Sequence, residues 1–306
     1  MNDNLRSRVL AGIVTYNPEP DLLRKNIEAL REQVSEILIV DNNSQNVSDV
    51  NDLADDYGIH VITNYENNGL APALNQILEY ARDNEYPWYL SMDQDSIVSS
   101  NLIEGFSTHT GKQVGILCPY LLNNNKTSLE EFRNLNLPET EVIEDPIDCI
   151  TSAALNRTEA VNKVGGYDER LFIDCIDVDL NIRLMNEGYE IRRVNEAYLL
   201  QQMGEGKEIP FFKFLSRLTG LSVFRKLSVS PVYSDIRIYY ISRNSAYIRN
   251  RYKEKAGRRM SRKWMNAQFI YYLLTYPLSH SRKKMIAAWK SGQKDAARLL
   301  EDESCS

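Results

Sequence analysis

The strongest constraint on the fold is an alternation along the chain. Short apolar runs that stop in polar residues are separated by stretches whose apolar positions recur at helical spacing. Val9–Thr15 is the first run, and Tyr16-Asn17-Pro18 ends it. Leu22, Leu23, Ile27 and Leu30 follow at helical intervals, and then comes a second run, Glu36–Val40, ending in Asp41. The same pattern predicts helices near 48–57, 71–82 and 102–109, and strands at 59–63, 88–92 and 114–117. Parallel neighbours need crossover connections of this length, so the front of the chain is expected to be an α/β/α sandwich with a mostly parallel central sheet. Ligands of such sheets bind beyond the carboxyl ends of the strands. Three polar clusters fall there: Thr15-Tyr16-Asn17, Asp41-Asn42-Asn43-Ser44 and Asp93-Gln94-Asp95-Ser96.

Residues 123–148 show weak periodicity and are expected to form a long loop or hairpin region. A strand near 147–153, a helix near 157–164, a turn at Gly165-Gly166 and a helix over 178–187 stopped by Gly188 follow. Beyond Pro210 the chain turns helical, basic and rich in tyrosine. Met260, Trp264, Ala267, Tyr271 and Leu274 are spaced to form one apolar helix face. The expected organisation is a ligand-binding and catalytic domain over 1–204 and a mainly helical region over 205–306.

The formal net charge of −6 rules out a nucleic-acid binder by bulk charge and conceals an asymmetry. Residues 1–204 carry 15 basic and 34 acidic side chains, whereas 205–306 carry 21 and 8. An acidic front suits a cation that neutralises carboxylates, and a basic tail suits an anionic surface. Arg249–Lys263 alone holds eight basic residues and one acid, Glu254. That window reads either as a segment resting on an anionic membrane or as a helix edge solvated by water. The four cysteines lack metal or disulfide spacing. The start is polar, and the longest apolar stretch, 269–278, is too short to span a bilayer, so a soluble or peripheral protein of the reducing cytoplasm is expected, at most at the inner face of the plasma membrane.

Asp93-Gln94-Asp95 is the sharpest chemical signal. Two carboxylates at a strand end repel one another unless solvated in a turn or neutralised by a hard cation. Mg²⁺ and Mn²⁺ take oxygen ligands and commonly bind through one or two carboxylates plus substrate phosphates. Asp174, Asp177 and Asp179 form a second acidic group at the start of a predicted helix. There Asp177 is either a helix cap or a general base for an attacking hydroxyl. His60, His109 and His280 lie elsewhere and read as structural or surface residues.

The ordered pieces Val14-Thr-Tyr-Asn-Pro18, Ile39-Val-Asp-Asn-Asn-Ser44, Asn67-Asn-Gly-Leu-Ala-Pro-Ala-Leu-Asn75, Leu90-Ser-Met-Asp-Gln-Asp-Ser96, Gly165-Gly-Tyr-Asp-Glu169, Leu171-Phe-Ile-Asp-Cys-Ile-Asp-Val-Asp179 and Tyr239-Tyr-Ile-Ser-Arg-Asn244 resemble glycosyltransferase family 2, within it the bacterial rhamnosyltransferases. The resemblance runs from about Val9 to Asn250. It implies a GT-A, Rossmann-like fold with a helical, basic C-terminal extension, and inverting transfer of rhamnose from dTDP-β-L-rhamnose to a hydroxyl of a lipid-diphosphate-linked glycan in surface polysaccharide or O-antigen assembly. By position it implies that Thr15, Tyr16 and Asp41 hold the nucleotide base, that Asn67 and Gly69 line the nucleoside, and that Asp93 lies near the ribose. Asp95 then binds the divalent metal, Mg²⁺ or Mn²⁺, and Asp177 is the catalytic base. One departure stands out. Where relatives carry a histidine in a His-x-x-Gly setting as a further metal or diphosphate contact, this chain has Leu200-Gln-Gln-Met-Gly204, which puts Gln201 at that position. The same fold with a UDP-hexose or UDP-galactofuranose donor, and a non-catalytic subunit that binds a sugar nucleotide or glycan, are the alternatives. The acceptor sugar and the oligomeric state are not readable from the sequence.

Overall fold

The computed structural model describes residues 5–123, 129–201, 207–230, 232–277 and 279–304. Two compact units divide the chain: Met1–Leu121 with Asn136–Gln201, and Leu122–Leu135 with Gln202–Ser306.

The first unit opens with the expected alternation: β1 (Val9–Thr15), α1 (Pro20–Leu30), β2 (Glu36–Asp41), α2 (Val47–Tyr57), β3 (His60–Thr63), α3 (Leu70–Asp83) and β4 (Trp88–Asp93). After β5 (Ile97–Val98), α4 (Leu102–Ser107) and β6 (Val114–Asn123) come α5 (Leu129–Arg133), which lies in the other unit, then β7 (Thr140–Val142), β8 (Ala154–Arg157), α6 (Thr158–Lys163), α7 (Ile176–Asn186) and β9 (Glu190–Gln201). The sheet order is β3-β2-β1-β4-β8-β6-β9-β5, with β7 paired to β9. β1 runs parallel to β2 and β4, and β2 parallel to β3. From β4 outward, β8 pairs antiparallel with β4 and β6, while β5 and β7 pair antiparallel with β9.

β1 is apolar at nearly every position because both faces of the sheet are covered. Val9, Ala11 and Ile13 pack with Leu23, Ile27 and Leu30 of α1 and Val50 and Leu53 of α2. Gly12 faces the opposite way, where any side chain would run into Ile77 of α3. Pro20 opens α1, a position whose N–H has no helical partner. Gly58 ends α2 in the left-handed conformation at φ 65°.

Three expectations shift. The strand expected at 147–153 begins only at Ala154, because Pro146–Asp148 forms a 3-10 turn capped by Asp145, which accepts from the Ile147 N–H at 3.3 Å. The region 123–148 contains α5 and the edge strand β7. β7 has no apolar alternation to betray it, since a strand at the sheet margin can hold its place by polar pairs such as Glu141 with Arg193. The third shift is in the second unit. Besides α5 it comprises β10 (Lys207–Glu208) paired antiparallel to β11 (Val229–Ser230), with α8 (Pro210–Thr219), α9 (Ser222–Leu227), α10 (Asp235–Tyr252), α11 (Arg262–Thr275) and α12 (Arg282–Ser304). The buried face of α11 is Met265, Phe269 and Tyr272, while Trp264, Ala267 and Leu274 of the expected face are exposed. Apolar residues at helical spacing occur on both sides of this helix, and the stacking of Phe269 on Trp289, ring centroids 4.3 Å apart, decides which side turns inward. α10 and α12 lie so close that a side chain at Gly292 would sit 2.5 Å from the Tyr239 carbonyl. Among the described residues no helix is long and apolar enough to cross a membrane.

One of the three acids on the 174–179 segment is committed to structure. Asp179 is fully buried and accepts from Arg183 Nε at 2.8 Å and Nη2 at 2.6 Å, and Arg183 Nη1 donates to the Val164 carbonyl at 2.6 Å, which ties α7 to the end of α6. Removing one partner of a buried ion pair strands the other, at a cost of about 3–5 kcal/mol. Asp179→Ala is therefore expected to lower the free energy of unfolding by that amount, seen as a lower denaturant midpoint. A loss below about 1 kcal/mol in equilibrium unfolding would show the pair to be dispensable.

Candidate active site

Strand register assembles the first wall. Thr15, the last residue of β1, lies opposite Asp41 on one side, and Val14 lies opposite Asp93 on the other. Thr15 and Asp41 are both fully buried, and the Asp41 carboxylate accepts from Thr15 Oγ1 at 2.8 Å, from the Ser44 N–H at 2.8 Å and from Ser44 Oγ at 2.5 Å. Ser44 Oγ in turn accepts from the Asn17 N–H at 2.7 Å. Asn17 sits at φ 48°, a left-handed position that asparagine tolerates better than most residues. The polar network thereby fixes the Thr15-Tyr16-Asn17 turn and leaves the Tyr16 ring half exposed.

Gln94, which spacing alone does not single out, holds the same turn from the other strand. It accepts from the Tyr16 N–H at 2.8 Å and donates back to the Tyr16 carbonyl at 3.4 Å. Asp93 is fixed through its backbone: its carbonyl accepts from Asn26 Nδ2 at 2.6 Å, and its N–H donates to Ser152 Oγ at 3.3 Å.

The Asn67–Gly69 turn forms the second wall. Asn67 Oδ1 accepts from the Gly69 N–H at 3.0 Å, and the Gly69 carbonyl accepts from Asn42 Nδ2 at 2.8 Å. Gly69 has φ 98°, and a Cβ there would stand 2.6 Å from the Phe172 carbonyl oxygen, so the position requires glycine twice over. That carbonyl accepts from the Leu70 N–H at 2.7 Å. The contact joins the turn to the segment leading into Asp174 and Asp177, a link with no trace in residue spacing.

Asp174 and Cys175 both adopt φ 64°, two consecutive left-handed residues with side chains, immediately before α7. Each costs about 1–2 kcal/mol relative to right-handed backbone. The turn sets Asp177 in the first turn of α7, where its Oδ1 accepts from the Val178 N–H at 2.8 Å. Burial raises the Asp177 pKa from 3.8 to about 6. The Val178 N–H opposes the shift, and the Asp174 and Asp93 carboxylates add to it. The influence of Asp93 puts the end of β4 and the start of α7 in one electrostatic neighbourhood. Asp95, two residues past Asp93, is partly buried, and that burial raises its pKa as well. Among the described residues no cationic side chain pairs with Asp95. The fully buried Ser96 Oγ beside it has no hydrogen-bond partner among those residues.

Gln201 is the last residue of β9, and its side chain lies outside the described residues. The histidines have other partners: His60 stacks on Tyr80 at 5.7 Å, His109 approaches Glu139 at 3.4 Å, and His280 approaches Asp235 at 3.1 Å. The arrangement offers an exposed aromatic ring, a glycine turn and partly desolvated acids. Such a site can hold a nucleotide, a cation-bound diphosphate and a hydroxyl that must lose a proton.

The chain is similar to proteins whose names describe sugar transfer. The dTDP-rhamnosyl transferase RfbF of Shigella flexneri is 26% identical over 251 residues, 79% of this chain and 79% of its own. Mannosyltransferase PcManGT from Pyrobaculum calidifontis, solved with GDP-Man and Mn²⁺, superposes with a TM-score of 0.54 at 16% identity, over 97% of this chain and 79% of its own. Residues 1–349 of S. aureus TarS with UDP-GlcNAc superpose with a TM-score of 0.50 at 14% identity, over 95% and 92%. These two structures share the GT-A fold with this chain. The sequence model of glycosyl transferase family 2 matches residues 11–163, half of the chain, and the protein is accordingly a glycosyltransferase that belongs to that family.

Proposed function

We propose that the protein is an inverting rhamnosyltransferase that moves L-rhamnose from dTDP-β-L-rhamnose to a hydroxyl of a lipid-linked glycan. The observation that carries the reading is the convergence of Asp93 and Asp177, with Asp95 close along the chain, beside a braced turn that presents Tyr16. Similarity to a dTDP-rhamnosyl transferase over most of both chains supports the choice of donor.

In this reading the nucleotide base lies along the Thr15–Tyr16 turn that Asp41 braces, Asn67 and Gly69 line the nucleoside, and Asp93 faces the ribose. Asp95 fits a divalent cation: it is a hard oxygen donor, partly desolvated, with no cationic partner among the described residues, and the Ser96 hydroxyl next to it is left unsatisfied. Among those residues no three His, Cys, Asp or Glu side chains gather into a ready-made cage, so the remaining ligands would be diphosphate and water oxygens, with Gln201 as a neutral candidate. Bound there, Mg²⁺ or Mn²⁺ supplies stabilisation of the negative charge on the departing diphosphate. Asp177 accepts the proton of the acceptor hydroxyl as its oxygen bonds to the anomeric carbon and the bond to the diphosphate breaks on the opposite face. A β-linked donor thus gives an α-rhamnoside.

Contact with the cytoplasmic leaflet is part of the same reading. It is supported by α8, whose Phe211, Phe214 and Leu218 are all more than 60% exposed, in a segment 209–234 that carries four basic residues and no acid.

The donor is tested by thermal shift across dTDP-rhamnose, UDP-galactofuranose and UDP-hexoses, each with and without Mg²⁺ or Mn²⁺. A ligand that binds only the folded form raises the melting temperature. dTDP-rhamnose with metal should give the largest rise, and Asp95→Ala should abolish the metal-dependent part. A larger rise with a UDP-sugar would replace the donor.

Asp177→Asn should leave donor binding intact and lower turnover by about 10²–10⁴-fold. Because folding raises the Asp177 pKa from 3.8 to about 6, the folded protein holds that proton more tightly than the unfolded chain does. Stability from the neutral carboxyl is therefore present below about pH 4 and lost as pH rises through about 6. The same variant should then gain roughly 3 kcal/mol at pH 7.5 and only a small fraction of that at pH 4. Full turnover, or an equal stability change at both pH values, would remove Asp177 from the role of desolvated base.

Vesicle flotation tests the leaflet contact. Phe214→Ser and Leu218→Ser, both at exposed positions, should reduce co-flotation with phosphatidylglycerol vesicles at least fivefold. Unchanged flotation would place the contact elsewhere.

A further inference from the structure

The basic window Arg249–Lys263 is neither a continuous helix edge nor a disordered tail. α10 ends at Tyr252, Lys253 turns left-handed at φ 52°, two 3-10 turns follow (Lys253–Ala256 and Arg258–Met260), and α11 begins at Arg262. The break folds the window back on itself around a cavity of about 430 Å³ lined by Arg249, Lys253, Glu254, Gly257, Arg258, Ser261 and Arg262. Four of the seven lining residues are cations and one is an acid. Among the described residues, none of the four cations is paired with a carboxylate. Arg249 Nη2 reaches only Gln293 Oε1, at 3.5 Å, and Arg258 lies over the Trp264 ring at 5.6 Å.

Arg249 is the anomaly. Its guanidinium is half-buried, and both that burial and the nearby charge of Arg262 lower its pKa, so two like charges face one cavity. A chain that gains nothing from such a pairing would be expected to place a carboxylate between them. Glu254 lines the same cavity without reaching either guanidinium. The missing partner is a compact, multiply charged anion with several acceptor oxygens, since guanidinium forks match phosphate and a half-buried fork loses little more solvation on binding it. Ser261, which caps α11 by accepting from the Trp264 N–H at 3.4 Å, also lines the cavity, so the positive end of that helix dipole adds to the field there.

We propose that this cavity is a binding site for a phosphate group, with Arg249 and Arg262 as its principal contacts and Lys253 and Arg258 at its rim. A phosphate in this position can belong to a soluble phosphorylated ligand or to a lipid headgroup, and the chemistry of the cavity is the same for both. The inference rests on the second unit alone and does not depend on which sugar the enzyme transfers.

The test measures binding without turnover, on the full chain. Isothermal titration with pyrophosphate in the presence of EDTA, which suppresses metal-dependent binding elsewhere, is compared for wild type, Arg249→Gln, Arg262→Gln and the double variant. Lys283→Gln/Lys284→Gln, at exposed positions on α12 away from the cavity, matches the double variant in charge change. In parallel, the same proteins are floated with phosphatidylglycerol and with phosphatidylcholine vesicles. A tenfold or greater loss of pyrophosphate affinity in the double variant, absent from the α12 control, supports the site with a soluble ligand. Loss of phosphatidylglycerol binding in the double variant alone, with no pyrophosphate signal in any protein, supports it with a lipid headgroup. Arg262 is exposed and its replacement leaves the core untouched, so Arg262→Gln keeps the result interpretable if Arg249→Gln folds poorly. Equal behaviour of the double variant and the α12 control in both assays would overturn the proposal, because the window would then act only through its bulk charge.

Discussion

Everything in the first unit follows from the register of β1 between two parallel neighbours. A parallel strand carries its polar end residue to the same edge as its neighbours, so the end of β1 meets Asp41 on one side and, one residue back, Asp93 on the other. A shift of one residue would invert every side chain on the strand, turning Gly12 away from α3 and Ile13 out of its core contacts. The apolar packing that fixes this register is also what brings Thr15, Asp41 and Asp93 to neighbouring strand ends. Sheet and site rest on the same constraint.

That constraint concentrates acids where water is scarce. Asp177 and Asp95 both carry pKa values raised chiefly by burial, and no internal cation relieves Asp95 among the described residues. Asp179 is the instructive contrast, since two residues from Asp177 the chain buries a carboxylate completely and satisfies it with Arg183. Pairing is thus available to this segment, and Asp179 uses it. The consecutive left-handed residues Asp174 and Cys175 add backbone strain at the same place. Strain and uncompensated charge together are what a fold tolerates where a ligand or a reacting group supplies the balance.

The order of strands and helices through β4 was legible because a buried parallel strand writes itself as an unbroken apolar run and its crossover helix as a 3.6-residue period. The strand-end clusters were legible for the same reason, as the places where those runs stop. Three kinds of information were not written locally. β8 begins later than its apolar residues imply, because a capped 3-10 turn at Pro146 and the left-handed Ala153 hold the preceding residues out of the sheet. The face that α11 buries depends on Trp289, a distant residue on another helix. The supporting contacts of the site, Gln94 on Tyr16 and the Phe172 carbonyl against Gly69, join residues about eighty and one hundred positions apart and leave no periodic mark. Gln94 could have been suspected only from its position between two acids at a strand end.

The charge asymmetry of the chain takes on a more specific meaning at the level of side chains. In the first unit the excess of acid gathers partly at one edge of the sheet, where the carboxylates are desolvated and a hard cation is the natural complement. In the second, the excess of base includes four side chains around one cavity, with the charge of Arg262 felt at the half-buried Arg249 guanidinium. Diffuse charge of either sign would serve solubility and would sit in water at little cost. Charge that is partly buried beside its own sign costs stability, and the folded chain recovers that cost only when an opposite charge arrives. A phosphorylated ligand is the complement proposed for both arrangements, with a divalent cation between at the acidic edge and without one at the basic cavity. Opposite local charges are therefore compatible with a single class of ligand chemistry.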